Sequence, residues 1–142
     1  MRALLDISLL IALFDPVHVH HNRAHAWWGS ESGEGWSSCP LTQNGFVRVL
    51  SSHGYARPIA LVDAIAILRA QIGLPGHEFW PDDVSLMDGT VSADDRIVGA
   101  KQLTDVYLLG LAVKHGGRLA TLDRSIPLTA VRGAQPQHLA IV

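Results

Sequence analysis

Two short apolar runs, Ala3-Leu4-Leu5 and Leu119-Ala120-Thr121-Leu122, each stop on an aspartate, Asp6 and Asp123. Runs this short and this apolar do not alternate inward and outward faces, so they suit strands covered on both sides, the habit of parallel sheets. The remaining strands are expected over residues 36–39, 84–87 and 139–142, with the first over 2–6 and the run before Asp123 over 118–122. Between them, apolar residues recur at helical spacing. Helices are expected over 9–14 with Ser8 as cap, about 20–28, 41–52, 58–72 and 104–115. Asp15-Pro16 ends the first helix and Gly116-Gly117 the last, because glycine takes the left-handed conformation that closes a helix. The Gly and Pro residues of 73–81 predict a break in regular structure.

Strands alternating with helices predict a three-layer α/β domain with a mostly parallel central sheet flanked by helices. At 142 residues and 48% hydrophobic, the chain is expected to form a single domain over 1–142. One cysteine, Cys39, excludes an intramolecular disulfide and a Cys-based zinc site from this chain alone. The apolar stretch 9–14 is too short for a membrane span, and a cytoplasmic protein is expected. A net charge of −2 and a pI near 6.4 exclude a protein that grips nucleic acid through a general basic excess. Any chemistry on a polyanion has to come from a local site.

In an open α/β sheet, ligands bind outside the carboxyl ends of the strands. Asp6 and Asp123 end strands there, and Asp105 opens the helix that leads into the second of them. Each has an ordinary alternative: Asp6 as a helix cap, Asp105 as an acid favoured by a helix dipole, Asp123 as a turn residue. Three carboxylates converging at one edge repel one another unless a cation neutralises them, and hard oxygen ligands select Mg²⁺ or Mn²⁺. Such ions activate water and stabilise the leaving oxygen of a phosphodiester. The residues by themselves therefore point to metal-dependent phosphate chemistry.

The blocks that carry these acids resemble the PIN-domain nucleases of the VapC toxin type. Leu4-Leu5-Asp6-Ile7-Ser8-Leu9-Leu10 resembles the family's opening strand and helix. Asp15-Pro16-Val17-His18-Val19-His20-His21, Cys39-Pro40-Leu41-Thr42-Gln43-Asn44-Gly45-Phe46-Val47-Arg48, Leu103-Thr104-Asp105-Val106-Tyr107 and Gly116-Gly117-Arg118-Leu119-Ala120-Thr121-Leu122-Asp123 follow in the family's order. Residues 53–98 add little to the likeness. The resemblance implies a PIN fold, an Mg²⁺- or Mn²⁺-dependent endoribonuclease, an RNA substrate and a VapB-type antitoxin as partner. It implies Asp6, Asp105 and Asp123 as metal ligands, Ser8 as a residue orienting metal-bound water, and Thr104 and Thr121 as supports. It also suggests a homodimer or higher homo-oligomer, with the apolar helix over 58–72 at the interface and an antitoxin groove near Trp27 and Trp28.

One position departs from the family pattern. Gln43 stands early in the third helix, where PIN nucleases commonly carry a glutamate. A carboxamide oxygen can coordinate metal or hold its water, so Gln43 joins the candidate catalytic residues, but it cannot act as a general base. That leaves an alternative, a catalytically weakened PIN-like module that binds RNA or antitoxin. A phosphatase on a similar sheet is disfavoured, because aspartyl-phosphate enzymes usually place a second aspartate two residues after the nucleophile, where Ser8 stands. His18, His20, His21 and His25 have helical ligand spacing, but without an acidic or cysteine ligand nearby they are read as surface histidines. The four tryptophans are assigned to core or interface rather than to base stacking, and Asp82, Asp83, Asp88, Asp94 and Asp95 to solvated loops or caps.

Overall fold

A strand whose residues are all buried needs a neighbour on each edge and a layer on each face. In the computed structural model, which describes residues 1–142, β1 (Ala3–Leu5) occupies that place. It pairs in parallel with β2 (Trp36–Ser38) on one side and β4 (Arg118–Thr121) on the other. β3 (His77–Phe79) extends the sheet beyond β2, and β5 (Leu139–Ile141) extends it beyond β4. The order is β3-β2-β1-β4-β5, with every pair parallel. The chain therefore winds outward from β1 in both directions, and the reversal falls between β1 and β4. Crevices at such reversals are where α/β sheets bind ligands.

Helices cover both faces. Ala3, Leu5, Trp36 and Ala120 meet one layer built from α1 (Ile7–Phe14), α2 (His21–Glu31), α3 (Pro40–Leu50) and α4 (Leu61–Ile72). Leu4 and Leu119, pointing the opposite way by strand alternation, meet α5 (Leu103–Lys114) and the residues around Ile126 and Val131. Each fully buried leucine contributes about 2 kcal/mol of transfer free energy. The three-layer α/β expectation matches this architecture. No helix is long and apolar enough to cross a membrane.

The helix ends follow local chemistry, with some revisions. Gly116 at φ 66° closes α5, and the Gly117 N–H bonds back to Ala112 O at 2.9 Å. α1 is capped by Asp6, whose carboxylate accepts the Leu9 N–H at 2.7 Å. Ser8, expected as the cap, lies inside the first turn instead. α4 starts at Leu61 rather than near residue 58, because Pro58 to Ala60 approach it outside any helix.

The third strand corrects the sequence reading. Residues 84–87 form no strand, and β3 lies at 77–79, inside the stretch expected to be irregular. Gly76 at φ 97° turns the chain into register, and its carbonyl accepts the Trp36 N–H at 2.9 Å. β3 is a half-exposed edge strand of His, Glu and Phe, so it carries no apolar run that would announce it. Its place is fixed by pairing with β2, a contact between residues about forty positions apart.

Candidate active site

Three elements deliver three carboxylates to the crevice between β1 and β4. Asp6 follows β1, Asp105 stands in the first turn of α5, and Asp123 lies two residues past β4. All three line one cavity of about 360 Å³, together with Ile7, Ser8, Ile11, Val49, Thr104 and Leu108. The structure thus brings together the three acids that the sequence selected.

Asp6 is buried to 5% exposure and is held from every side. One carboxylate oxygen accepts the Leu9 N–H at 2.7 Å and the Ser8 hydroxyl at 2.8 Å. The other accepts the hydroxyl of fully buried Thr121. Burial raises the Asp6 pKa against the lowering effect of these bonds. Asp105 makes no such bonds; burial first, then the charges of Asp6 and Asp123, push it up to about 6. Asp123, at the solvent edge, is held below the usual carboxylate range because the Ser125 hydroxyl and N–H bond it at 2.7 and 2.8 Å. The site therefore grades from a buried, fixed acid to an exposed, ionised one, with a half-buried acid whose charge is resisted by both.

The other candidates fall differently. Ser8 lines the cavity and bonds Asp6. Thr121 supports Asp6 as expected, whereas Thr104 lines the rim of the cavity. Gln43 is not brought to the acids. It donates from Nε2 to the Ser38 hydroxyl at 2.9 Å and lines a separate cavity with Asn44, Val47, Ile65, Leu68, Arg69 and Ile72. Helical geometry explains the separation: Gly45 packs on Ile7 of α1, with Leu41 and Arg48 at the margin of that contact, and Gln43 lies on the adjoining side toward α4.

The histidines have another task. His21 and His25 bond the free carbonyls of Ala12 and Leu13 at the end of α1, at 2.8 and 2.9 Å. Trp36 and Trp80 are buried in the two halves of the core, and Trp27 and Trp28 pack against it. Asp82 accepts the Leu41 N–H and caps α3 from across the chain, while Asp83 pairs with Lys114 and His115. Arg48 and Asn44, which the sequence reading did not single out, line a neighbouring space with Ile7 and Thr104. Their only signal was spacing: Arg48 stands three residues after Gly45 and Asn44 three after Leu41.

No protein-family model matches the chain. Its sequence is 51% identical over 140 residues to ribonuclease VapC44 of Mycobacterium tuberculosis, covering 99% of each chain. It is 42% identical over 135 residues to ribonuclease VapC39 of the same species, covering 94% of this chain and 96% of that one. Among solved structures, M. tuberculosis VapC20, a sarcin-ricin loop cleaving toxin, superimposes with a TM-score of 0.60 at 11% identity, over 84% of this chain and 87% of that one. VapBC2 from Rickettsia felis, bound to a DNA fragment from its promoter, gives a TM-score of 0.53 at 10% identity, over 88% and 90%. These two share the fold, a parallel sheet of the PIN type flanked by helices. Full-length identity to the VapC ribonucleases, joined to acids gathered where such a sheet binds its ligand, places this chain in the VapC ribonuclease family.

Proposed function

We propose that this protein is a metal-dependent endoribonuclease, the toxin of a VapB–VapC pair, which hydrolyses RNA phosphodiester bonds at Asp6, Asp105 and Asp123. The observation that carries this reading is the electrostatic conflict in the cavity. Asp105 is pushed to about 6 by burial and by two neighbouring acids, a state that a divalent cation relieves.

The donor set fits such an ion. Its oxygens are all hard, and no nitrogen or sulfur ligand lines the cavity, which favours Mg²⁺ or Mn²⁺ over zinc or copper. The three carboxylates line one cavity without closing into a ready-made metal cage. An ion bound there would be held by Asp6, Asp105 and Asp123, with water completing its ligand set. When bound it supplies activation of water and charge stabilisation of the phosphate oxygens. The chain's residues do the rest. Asp6, locked by three hydrogen bonds, fixes the position of the site. Asp105 ionises in the metal-free protein only above about pH 6, a threshold a bound cation would lower, and Asp123 faces solvent where a polyanion arrives. Ser8 orients Asp6.

The weakened-module alternative drew on Gln43, and with Gln43 lining another cavity it loses that support. A VapB-type antitoxin is the expected partner, supported by the VapBC2 assembly of R. felis. A cavity of about 500 Å³ lined by Phe14, Trp28, Trp36, Ile67 and Leu74 together with His21, His25 and Gln71 is a candidate antitoxin groove at Trp28, though Trp27 does not line it. Leu61 and Val62 at the start of α4 are 56% and 69% exposed, which supports a homodimer through that helix end. Of the rest of the α4 apolar run, Ala64, Ile67, Leu68 and Ile72 pack on the core, whereas Ala66 is exposed.

The test combines cleavage and binding. Purified protein cuts single-stranded RNA with Mn²⁺ or Mg²⁺ and stops in excess chelator, and calorimetry detects Mn²⁺ binding that Asp6→Asn or Asp105→Asn removes. Full cleavage in chelator, or normal cleavage by Asp6→Asn, overturns the reading.

A further inference from the structure

The acid cavity does not end at the acids. Ile7 and Thr104 are shared with a second cavity, of about 510 Å³, which is also lined by Leu41, Asn44, Gly45 and Arg48. Arg48 and Val49 also bound a third space, with Ser52, Gly54 and Tyr55, and Val49 belongs to the acid cavity as well. The three spaces adjoin one another beside α3 through these shared residues. The acid cavity holds three carboxylates; the space lined by Arg48 and Asn44 holds none.

The polar groups of that second space are of one kind. Arg48 offers a guanidinium, Asn44 a carboxamide and Thr104 a hydroxyl, and none of the three side chains bonds to any other group of the protein. Every ion pair of the chain is made by other residues, so Arg48 is a free cation on an exposed helix face. Its location is set by packing. Gly45 lets α3 approach α1 so closely that a Cβ there would stand 2.2 Å from Ile7 Cδ1. Arg48 follows Gly45 by three residues, so it rises on the same face, next to the crevice.

We propose that the space lined by Arg48, Asn44 and Thr104 is a subsite for an RNA phosphate adjacent to the one that is cut. The proposal rests on the nuclease reading above and adds what the three acids lack. A polyanion approaching three carboxylates in a protein of net charge −2 meets repulsion on every side not covered by metal. A planar guanidinium with five donors matches a phosphate's oxygens, and hydroxyl and carboxamide donors complete the set without adding a competing acid. Adjoining spaces with a local positive charge suit a single strand, whose backbone can pass from one to the next.

The experiment measures binding of fluorescent oligouridylate in excess chelator and, separately, its cleavage with Mn²⁺. Wild type is compared with Arg48→Gln, Arg48→Lys and Asn44→Ala, and with Arg69→Gln, an arginine without an ion pair in the neighbouring cavity between α3 and α4, which meets the subsite at Asn44. Arg48→Gln is expected to weaken binding about tenfold and to lower the slope of log affinity against log salt by about one unit, the signature of one lost phosphate contact. KM should rise by a similar factor with kcat changed less, Arg48→Lys should recover part of the loss, and Arg69→Gln should change little. Thermal melting should be the same for all, since the altered side chains are exposed and unbonded. Equal binding and salt slopes for wild type and Arg48→Gln overturn the subsite. So does a variant that binds RNA normally and loses only the antitoxin, which would make Arg48 a protein contact. A wild type that binds oligouridylate through Arg48 but never cuts it leaves the subsite standing and sinks the nuclease reading instead.

Discussion

The hydroxyl of Thr121 joins two acids of the site: it donates to Asp6 and accepts the Asp123 N–H at 2.9 Å. Thr121 is fully buried at the end of β4, so this link has no water to replace it. Thr121→Val keeps the shape and deletes the hydroxyl, leaving a buried carboxylate oxygen and an amide without a partner. The expected cost is about 1–3 kcal/mol of stability. Cleavage should fall about tenfold or more, as for other residues that orient metal ligands, and Thr121→Ser should restore most of it. Denaturant melts and single-turnover rates check the pair of effects. A Thr121→Val protein as active as wild type would show that Asp6 needs no support from β4.

Asp105 sets the pH response. In the folded apoprotein it ionises near 6, against an ordinary value of 3.8. Between those values the folded state holds a proton that the unfolded state has lost, so stability falls as pH rises from about 4 to 6 and stays lower above. Asp105→Asn should therefore stabilise the metal-free protein at pH 7, by on the order of 1 kcal/mol after allowing for solvent around a half-buried group. The gain should vanish near pH 4. Metal needs the ionised form, so Mn²⁺ affinity of the wild type should weaken below pH 6. Thermal melts of both proteins across this range, with and without Mn²⁺, give the answer.

Gln43 should be silent in the metal titration. Its amide donates to Ser38, whose hydroxyl also contacts His77 Nε2 at 2.8 Å, and neither belongs to the acid cavity. Gln43→Glu removes a donor from that chain and should lower stability by about 1 kcal/mol. The Mn²⁺ dependence and rate of cleavage should match wild type within about threefold, and a switch from inert to active would return residue 43 to the site.

Gly45 is needed for the space it leaves. Gly45→Ala drives Ile7 aside, and Ile7 lines the acid cavity. Overpacking costs about 1–3 kcal/mol, while alanine returns about 1 kcal/mol of helix propensity. The net stability change should thus be small, but cleavage should drop because the displaced side chain enters the cavity. Adding Ile7→Ala deletes both Cδ1 and Cγ1, the two atoms that would clash, and should recover activity. Failure of that second substitution to help would assign the loss to α3 itself.

The sequence by itself determined the sheet's central strands, its helices and the three acids, because these depend on local patterning. An unbroken apolar run has to be buried on both faces, and an acid that ends it has to leave the core. Resemblance to VapC blocks then agreed with what full-length relatives show. Tertiary structure alone decided three things. β3 exists through pairing with β2, since His77, Glu78 and Phe79 carry no strand signal of their own. Between the two caps the sequence offered for α1, Ser8 and Asp6, the structure takes Asp6, whose second carboxylate oxygen is also held by Thr121 of β4. Gln43 lies against Ser38 and α4 rather than in the acid cavity, because Gly45, packed on Ile7, sets which side of α3 meets α1. The rotation of a helix about its axis is settled by the close packing of side chains distant in sequence, and no local pattern encodes it.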